Sequence, residues 1–426
     1  MQIGSVWQET ARCPATRSDM LVGKAESDIA IIGGGFTGLS AALHAAELGR
    51  SVILVEAQDV AFGASGRNGG QVNPGLKHGE DALVARFGDA GRRFFRLGEE
   101  ATDFLGRTVD RLGLDCAWRQ PGVIRLAHSR QALAAARDAC AALQARGVAA
   151  RPLTAEEAAQ VTGSAGYLGG LVDPRGGSVQ PLDLARGLAA AAVAAGVRIF
   201  EHSPAVVVTR ERIGLRIRTN RGEIRAGQVL VATNGYSDGL IPGLARSLLP
   251  VNSFQVGTAR LPPDIAARIL PGGHAAYDSR RLILYFRKSP DGRVVIGGRA
   301  SFSSQRDSPE GRIDYGVLER VLHGLFASTR GVPVTHRWTG LVCITPDFLP
   351  HYHRPEDGLH VVVGFNGRGV ALSLRTGAWI ARRMSGVDDP VEIPQTPIRP
   401  IPLHRFRAPV LDAAMRWNWL MDALGR

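Results

Sequence analysis

The 426-residue chain has no run of eighteen or more apolar residues, so a transmembrane helix is not expected. Its opening, MQIGSVWQETARCPATRSD, lacks the apolar core of a signal peptide. Cysteine is scarce: Cys13, Cys116, Cys140 and Cys343 lie far apart with no C-x-x-C. That argues against a disulfide framework or a metal cage and suits a reducing cytoplasm. No Lys/Arg block is interleaved with aromatics, so the net charge of +12 is not read as a nucleic-acid surface. The scattered arginines instead give a diffuse positive potential that draws in anionic cofactors and substrates. Solenoid repeats are absent too. What remains is a globular chain, 45% hydrophobic, whose length favours two domains.

Glycine, by contrast, is plentiful and patterned. In DIAIIGGGFTGLSAALHAAELGRSVILVE, IAII and SVILVE read as buried strands and FTGLSAALHAAEL as a helix with small residues on one face. Gly33-x-Gly35-x-x-Gly38 joins strand to helix. Gly33 permits the tight turn, Gly35 lets a pyrophosphate approach, and Gly38 lets helix and strand pack. Glu56 closes the second strand, where a carboxylate can accept both ribose hydroxyls. NAD and FAD both use this unit. The stretch that follows, GASGRNGGQVNPG (63–75), distinguishes them, because a bare NAD fold needs no second glycine loop there. Its small residues admit a longer cofactor, and Ser65, Arg67 and Asn68 are donors for phosphates or a flavin edge. A plain surface loop is the competing reading.

Farther along, 81–114 is helical, SRQALAAARDACAALQARG is a helix, and Thr154 with Glu157 forms a capping box. PLDLARGLAAAAVAAGVRIFE is a helix feeding a strand, followed by strands in AVVVTR, LRIRTN and QVLVATNG. Residues 248–299 read as antiparallel strands, with a hairpin turning at Pro290-Asp291-Gly292. GLHVVVGFNGRGVALSLRTGAWIARRM repeats the order strand, glycine turn, helix. The fold class is α/β plus α+β: a discontinuous Rossmann-like FAD-binding domain with an inserted antiparallel-sheet substrate domain. The expected division is 24–82, 152–240 and 336–386 for the first, 83–151 and 241–335 for the second, with 387–426 a C-terminal extension.

The motifs SVWQETA, DIAIIGGGFTGLSAAL, VEAQDVAFGASGRNGGQV, VLVATNGYS, WTGLVCITPDFLPH and GFNGRGVALS together resemble the glycine oxidase/D-amino-acid oxidase superfamily of FAD-dependent amine oxidoreductases, nearest the gamma-glutamylputrescine oxidase branch. The resemblance implies that Val206 and its neighbours lie near the adenine and that Ala232 and Thr233 lie against the ADP portion. It also implies that Gly364 to Val370 put a helix N-terminus under the flavin, with Arg368 as a reinforcing charge. The candidate cofactor-binding set is Gly33, Gly35, Phe36, Thr37, Gly38, Glu56, Ala57, Ala64, Ser65, Arg67, Asn68, Gly69, Gly70, Gln71, Val206, Ala232, Thr233, Gly340, Gly364, Asn366, Gly367, Arg368, Gly369 and Val370. The implied reaction passes a hydride from the carbon beside an amine nitrogen to the flavin, and the imine then hydrolyses.

The chain departs from the resemblance in three places. The cysteine that holds flavin covalently in sarcosine oxidases falls on Gly340, with Cys343 offset by three, so FAD is expected to be noncovalent. The oxygen-activating lysine falls on Val295, leaving O2 or another electron acceptor open. The lysine for a neighbouring carboxylate falls on Ala371, which favours an amine whose carboxylate is remote or absent.

Candidates around the reaction are Tyr285, Arg287 and Arg368. Tyr285, Arg287 and Lys288 either line the pocket and grip a distant carboxylate or form a solvated strand edge. His351 and His353 either approach the flavin or make ordinary turn hydrogen bonds, and Trp338 is expected to pack the sheet. The amphipathic tail APVLDAAMRWNWLMDALGR is expected to dock on its own fold, with a membrane or an electron-accepting partner as the other reading. No metal and no nucleic-acid partner are expected, and the location is cytoplasmic. The rival functions are oxidation of a cyclic amino acid such as pipecolate, a non-catalytic flavoprotein binding RNA or protein, and a nicotinamide dehydrogenase.

Overall fold

The computed structural model describes residues 4–298 and 314–423. Ile29 to Ile32 and Val52–Val55 are buried at every position, as expected of strands covered on both faces of a parallel sheet. They lie side by side in a sheet ordered His351–Glu356, Leu359–Val363, Gly222–Val231, Gly23–Ile32, Val52–Val55, Arg198–Phe200. The pairs are parallel except for the first. A hairpin of Ala205–Arg210 and Leu215–Thr219 pairs antiparallel with the beginning of Gly222–Val231.

The small face of the helix Phe36–Glu47 is covered by the helix Gly369–Met384, and Pro181–Ala194 also packs on Phe36–Glu47. Contact is backbone-close: a Cβ added at Gly377 would lie 2.6 Å from the Thr37 carbonyl oxygen. Ser40 Oγ donates to Leu374 O across the same joint at 2.7 Å.

A second eight-stranded sheet runs Val334–Ile344, Leu249–Thr258, Val294–Gly298, Tyr285–Lys288, Ala275–Asp278, Val123–Leu126, Gly170–Asp173, Arg151–Leu153. It is antiparallel apart from the parallel pair Ala275–Asp278 with Val123–Leu126. Within 248–299 every pair is antiparallel, as expected; the parallel partner comes from outside that range. Gly170–Asp173, from a segment expected beside the cofactor, also joins this sheet, as do Arg151–Leu153 and Val334–Ile344, which straddle the expected boundaries. The expected capping box is formed: Thr154 Oγ1 accepts from Glu157 N at 3.2 Å, and Glu157 Oε2 accepts from Thr154 N at 2.8 Å. No helix among the described residues is long and apolar enough to cross a membrane.

Candidate active site

Two helices begin at one place between the sheets. Phe36–Glu47 follows the turn after Gly23–Ile32, and Gly369–Met384 follows the turn after Leu359–Val363. Their cap residues, Gly35 and Arg368, give no side-chain hydrogen bond to the first turn. Backbone amides and positive dipole ends are therefore left for an anionic ligand. Ser65 Oγ accepts from Phe36 N at 2.9 Å, and its hydroxyl proton can still be given to a phosphate. Glu56 is held by Gly34 N on Oε2 at 2.7 Å and Gln58 N on Oε1 at 3.0 Å. Each oxygen keeps a lone pair for a ribose hydroxyl.

A cavity of about 620 Å³ opens in front of these groups, in the size range of small-molecule sites. Its wall contains the expected residues Gly33, Gly35, Phe36, Thr37, Glu56, Ala57, Ala64, Ser65, Arg67, Asn68, Gly69, Gln71, Ala232, Thr233, Gly340, Asn366, Gly367, Arg368, Gly369 and Val370. Four expected residues stand off the wall. Gly38 faces the Gly33 carbonyl, and Gly364 faces the Thr345 side chain. Gly70 faces Arg287 and the Val179 carbonyl. Val206 is 45% exposed, and its neighbours Pro204 and Ala205 line the wall instead. Successive strand side chains point to opposite faces, so a one-residue change of phase moves the contact.

The glycine loop makes much of its close approach to the protein itself. Added Cβ atoms would lie 3.0 Å from the Tyr236 ring at Gly63, 2.4 Å from Ala61 O at Gly66, 2.8 Å from the Tyr285 ring at Gly69 and 2.3 Å from Arg287 Nη1 at Gly70. Asn68 is spent inside the loop: Nδ2 donates to Ala64 O and Ser65 O, and Oδ1 accepts from Gly70 N. Arg67 stacks on the Phe62 ring at 4.5 Å and donates Nε to Phe62 O at 2.6 Å. From behind, Trp7 Nε1 donates to Asn68 O at 2.7 Å and Trp338 Nε1 to Arg67 O at 2.9 Å. Trp7 comes from the SVWQETA motif and meets Trp338 edge-on at 6.2 Å. Trp338 thus packs as expected and also braces the loop. Trp7→Phe keeps most of the packing and leaves the Asn68 carbonyl unpaired, a loss of about 1–3 kcal/mol. A lowered urea midpoint together with faster loss of bound flavin on dilution is the expected measurement.

The second sheet supplies the opposite wall with Ser253, Gln255, Tyr277 and Tyr285, and the turn that follows Ala275–Asp278 adds Arg281 and Ile283. Tyr285 is wedged between Gly69 and Gly297, and its hydroxyl shares a 2.8 Å hydrogen bond with Ser253 Oγ. Burial pushes its phenol up to about 12, so it faces the cavity as a neutral group. Arg287, a candidate either for gripping a carboxylate or for a solvated strand edge, does neither: it is buried and off the wall. Two residues along the strand from Tyr285, it passes beneath the loop and donates Nη1 to Gly70 O at 2.8 Å and to Val179 O. Lys288 instead caps backbone carbonyls of Ala266 and Ile269. His351 pairs with Asp347 at 2.9 Å and His353 with Thr396 O at 2.7 Å; neither is on the wall.

Sequence reasoning missed Gln255, Asn73, Lys77 and Arg281, all on the wall. Gln255, 1% exposed, donates Nε2 to Arg67 O at 2.6 Å. A carbonyl can only accept, so the amide is oriented with Oε1 as its remaining atom, and Oε1 has no partner among the described residues. Asn73 Oδ1 is a second buried acceptor without one. Its polar place in the strand run SFQVG was the available signal for Gln255. Buried acceptors are rarely left unpaired. Two of them lining one cavity with two helix N-termini and a ribose-ready carboxylate fit a bound dinucleotide and a donor-bearing ligand.

The DAO family, described as FAD dependent oxidoreductase, matches residues 28–383. Gamma-glutamylputrescine oxidoreductase of Escherichia coli is 30% identical over 93% of this chain and 93% of its own. The probable oxidoreductase OrdL of Haemophilus influenzae is 30% identical over 86% of this chain and 85% of its own. Among solved structures, glycine oxidase from Geobacillus kaustophilus superposes with a TM-score of 0.74 at 22% identity, covering 86% of this chain and 96% of that one.

Proposed function

The chain belongs to the DAO family of FAD dependent oxidoreductases, enzymes acting on amines and amino acids, and from that premise we propose that its substrate is a small amine with a carboxylate remote from the reacting C–N bond, of the gamma-glutamylputrescine kind. The observation that carries this reading is the charge of the wall. Lys77, Arg281 and Arg368 line the cavity, whereas the lining carboxylates, Glu56 and Asp238, both follow strands of the first sheet. Arg281 belongs to the turn after Ala275–Asp278, on the second-sheet side, where a substrate's far end would reach.

When bound, FAD supplies the two-electron acceptor for the C–H bond beside the nitrogen. The cations disfavour an ammonium in the cavity and so select the neutral amine. Gln255 Oε1 accepts an amine N–H, and the carboxylate end is drawn to Arg281 and Lys77. Orientation is the chief contribution of these side chains. Val295, where the resemblance implied a lysine, is buried among apolar residues. The final acceptor in this reading is O2 or another oxidant.

Anaerobic titration with gamma-glutamylputrescine, putrescine, sarcosine and pipecolate, followed in the visible flavin band, tests the reading. Bleaching by gamma-glutamylputrescine is expected, and readmitting air then separates oxidase from dehydrogenase. Bleaching by pipecolate or sarcosine alone would overturn the remote-carboxylate assignment. Arg281→Gln is expected to raise KM for gamma-glutamylputrescine by roughly fivefold, the scale of one solvent-screened ion pair, while KM for putrescine, which has no carboxylate, stays within twofold.

A further inference from the structure

The turn that carries Arg281 and Ile283 into the cavity is not held by its own sheet alone. Its base is fixed by Asp278, 1% exposed, whose Oδ1 accepts from Arg280 N at 3.2 Å and from Leu284 N at 3.0 Å. Ser279 N donates to Leu126 O at 3.0 Å. The tip is fixed from elsewhere in the chain. Asp422 Oδ1 accepts from Arg281 N at 2.8 Å, and Asp422 Oδ2 accepts from Leu282 N at 3.0 Å. Asp422 lies on the helix Arg407–Ala423, which docks through the buried Met415 while Trp417 and Trp419 stay 60% and 58% exposed.

One carboxylate therefore satisfies two successive backbone amides at the tip of a cavity-lining turn. Without it those amides face solvent, and the tip of the turn loses this tie while its base stays bonded through Ser279 to Leu126 and His128. Charge-assisted bonds of this sort are about twice as strong as neutral ones. We propose that Asp422 is a positioning residue of the substrate site: through the 279–283 turn, the C-terminal helix sets where Arg281 and Ile283 stand, and the helix is thereby part of the enzyme's substrate-recognition apparatus. The choice of Arg281 as substrate contact rests on the reading above; the latch on the turn does not.

The experiment uses the full-length holoenzyme with Asp422→Ala, Asp422→Asn and wild type. Hydrogen exchange of the peptide spanning 279–284 needs no substrate. Exchange at Arg281 and Leu282 is expected to speed up by about tenfold or more in Asp422→Ala, as follows from losing hydrogen bonds to a charged group, while the 63–75 loop and the flavin content stay unchanged. Asp422→Asn keeps one acceptor oxygen and is expected to fall between. With whichever carboxylate-bearing amine bleaches the flavin, Asp422→Ala raises KM at least severalfold and leaves kcat within twofold, and Asn recovers part of the loss. Unchanged exchange in the turn would overturn the latch. Faster exchange with an unchanged KM would overturn the positioning role. Failure of the amine panel in wild type, with the exchange result intact, would count against the substrate reading alone.

Discussion

Gly38→Ala protein is expected to purify without its yellow colour. A Cβ at this position would lie 2.0 Å from the Gly33 carbonyl oxygen and 3.2 Å from Ile31 Cγ2. The first contact is with backbone, so no rotamer change relieves it. Gly33 itself sits at φ +113°, a conformation that L side chains rarely adopt, and its own added Cβ would meet Ala232 O at 3.0 Å. The turn is thus confined on both sides, and the methyl can be housed only by moving the start of the helix Phe36–Glu47 away from the strand. That start carries the open amides and the dipole end on which a pyrophosphate depends. Gly324→Ala is the control. Nothing lies within 4 Å of its added Cβ, and it falls inside the helix Gly316–Leu325, where alanine gains about 0.5–1 kcal/mol over glycine. It is expected to retain flavin and unfold slightly later. The ratio of visible flavin absorbance to protein absorbance reads both outcomes. A fully flavinated Gly38→Ala protein would reject the assigned cofactor turn.

Local signals carried well from sequence to structure. The strand–turn–helix–strand of 28–56, the Thr154–Glu157 capping box and the hairpin around 290–292 are each specified by residues a few positions apart, and each formed as read. Long-range partnerships were not legible. Small residues in 63–75 indicated close approach but not by what; Tyr285 and Arg287 come from more than two hundred residues away, and Trp7 from some sixty. Where a residue type was right and its place wrong, strand phase and reach were the cause. Alternation put Ala205 on the wall and Val206 outside. The strand's advance carried Arg287 past the cavity, while Arg281 lines it from a turn whose tip amides bond Asp422, from the far end of the sequence. Neither follows from composition or spacing.

Arg287→Met is expected to be the most destabilising of the side-chain truncations considered. Replacing a buried ion pair by apolar residues can be neutral or favourable when both partners are exchanged together. Here the partners are the Gly70 and Val179 carbonyls, which no side-chain substitution removes. The Gly70 carbonyl keeps the bond it accepts from Val179 N at 2.8 Å, but the buried Val179 carbonyl is left unpaired at about 1–3 kcal/mol, against a total stability of about 5–15 kcal/mol for a folded protein. Burial, then the like charge of Arg119, pushes the Arg287 guanidinium down to about 9. The group still carries its charge at neutral pH, and the Trp7 ring 5.4 Å away adds a favourable face. Because Gly70 sits between Gly69 and Gln71 on the cavity wall, the loss extends to the cofactor. Urea unfolding is expected to show a midpoint well below wild type with an unchanged slope, the mark of altered stability rather than altered denatured-state compactness, together with weaker flavin retention. Arg287→Lys keeps the charge but not the forked geometry and is expected to lie between the two. A Met variant as stable as wild type and fully yellow would mean that the loop is held by the tryptophans and Asn68 alone, with the buried cation a passenger.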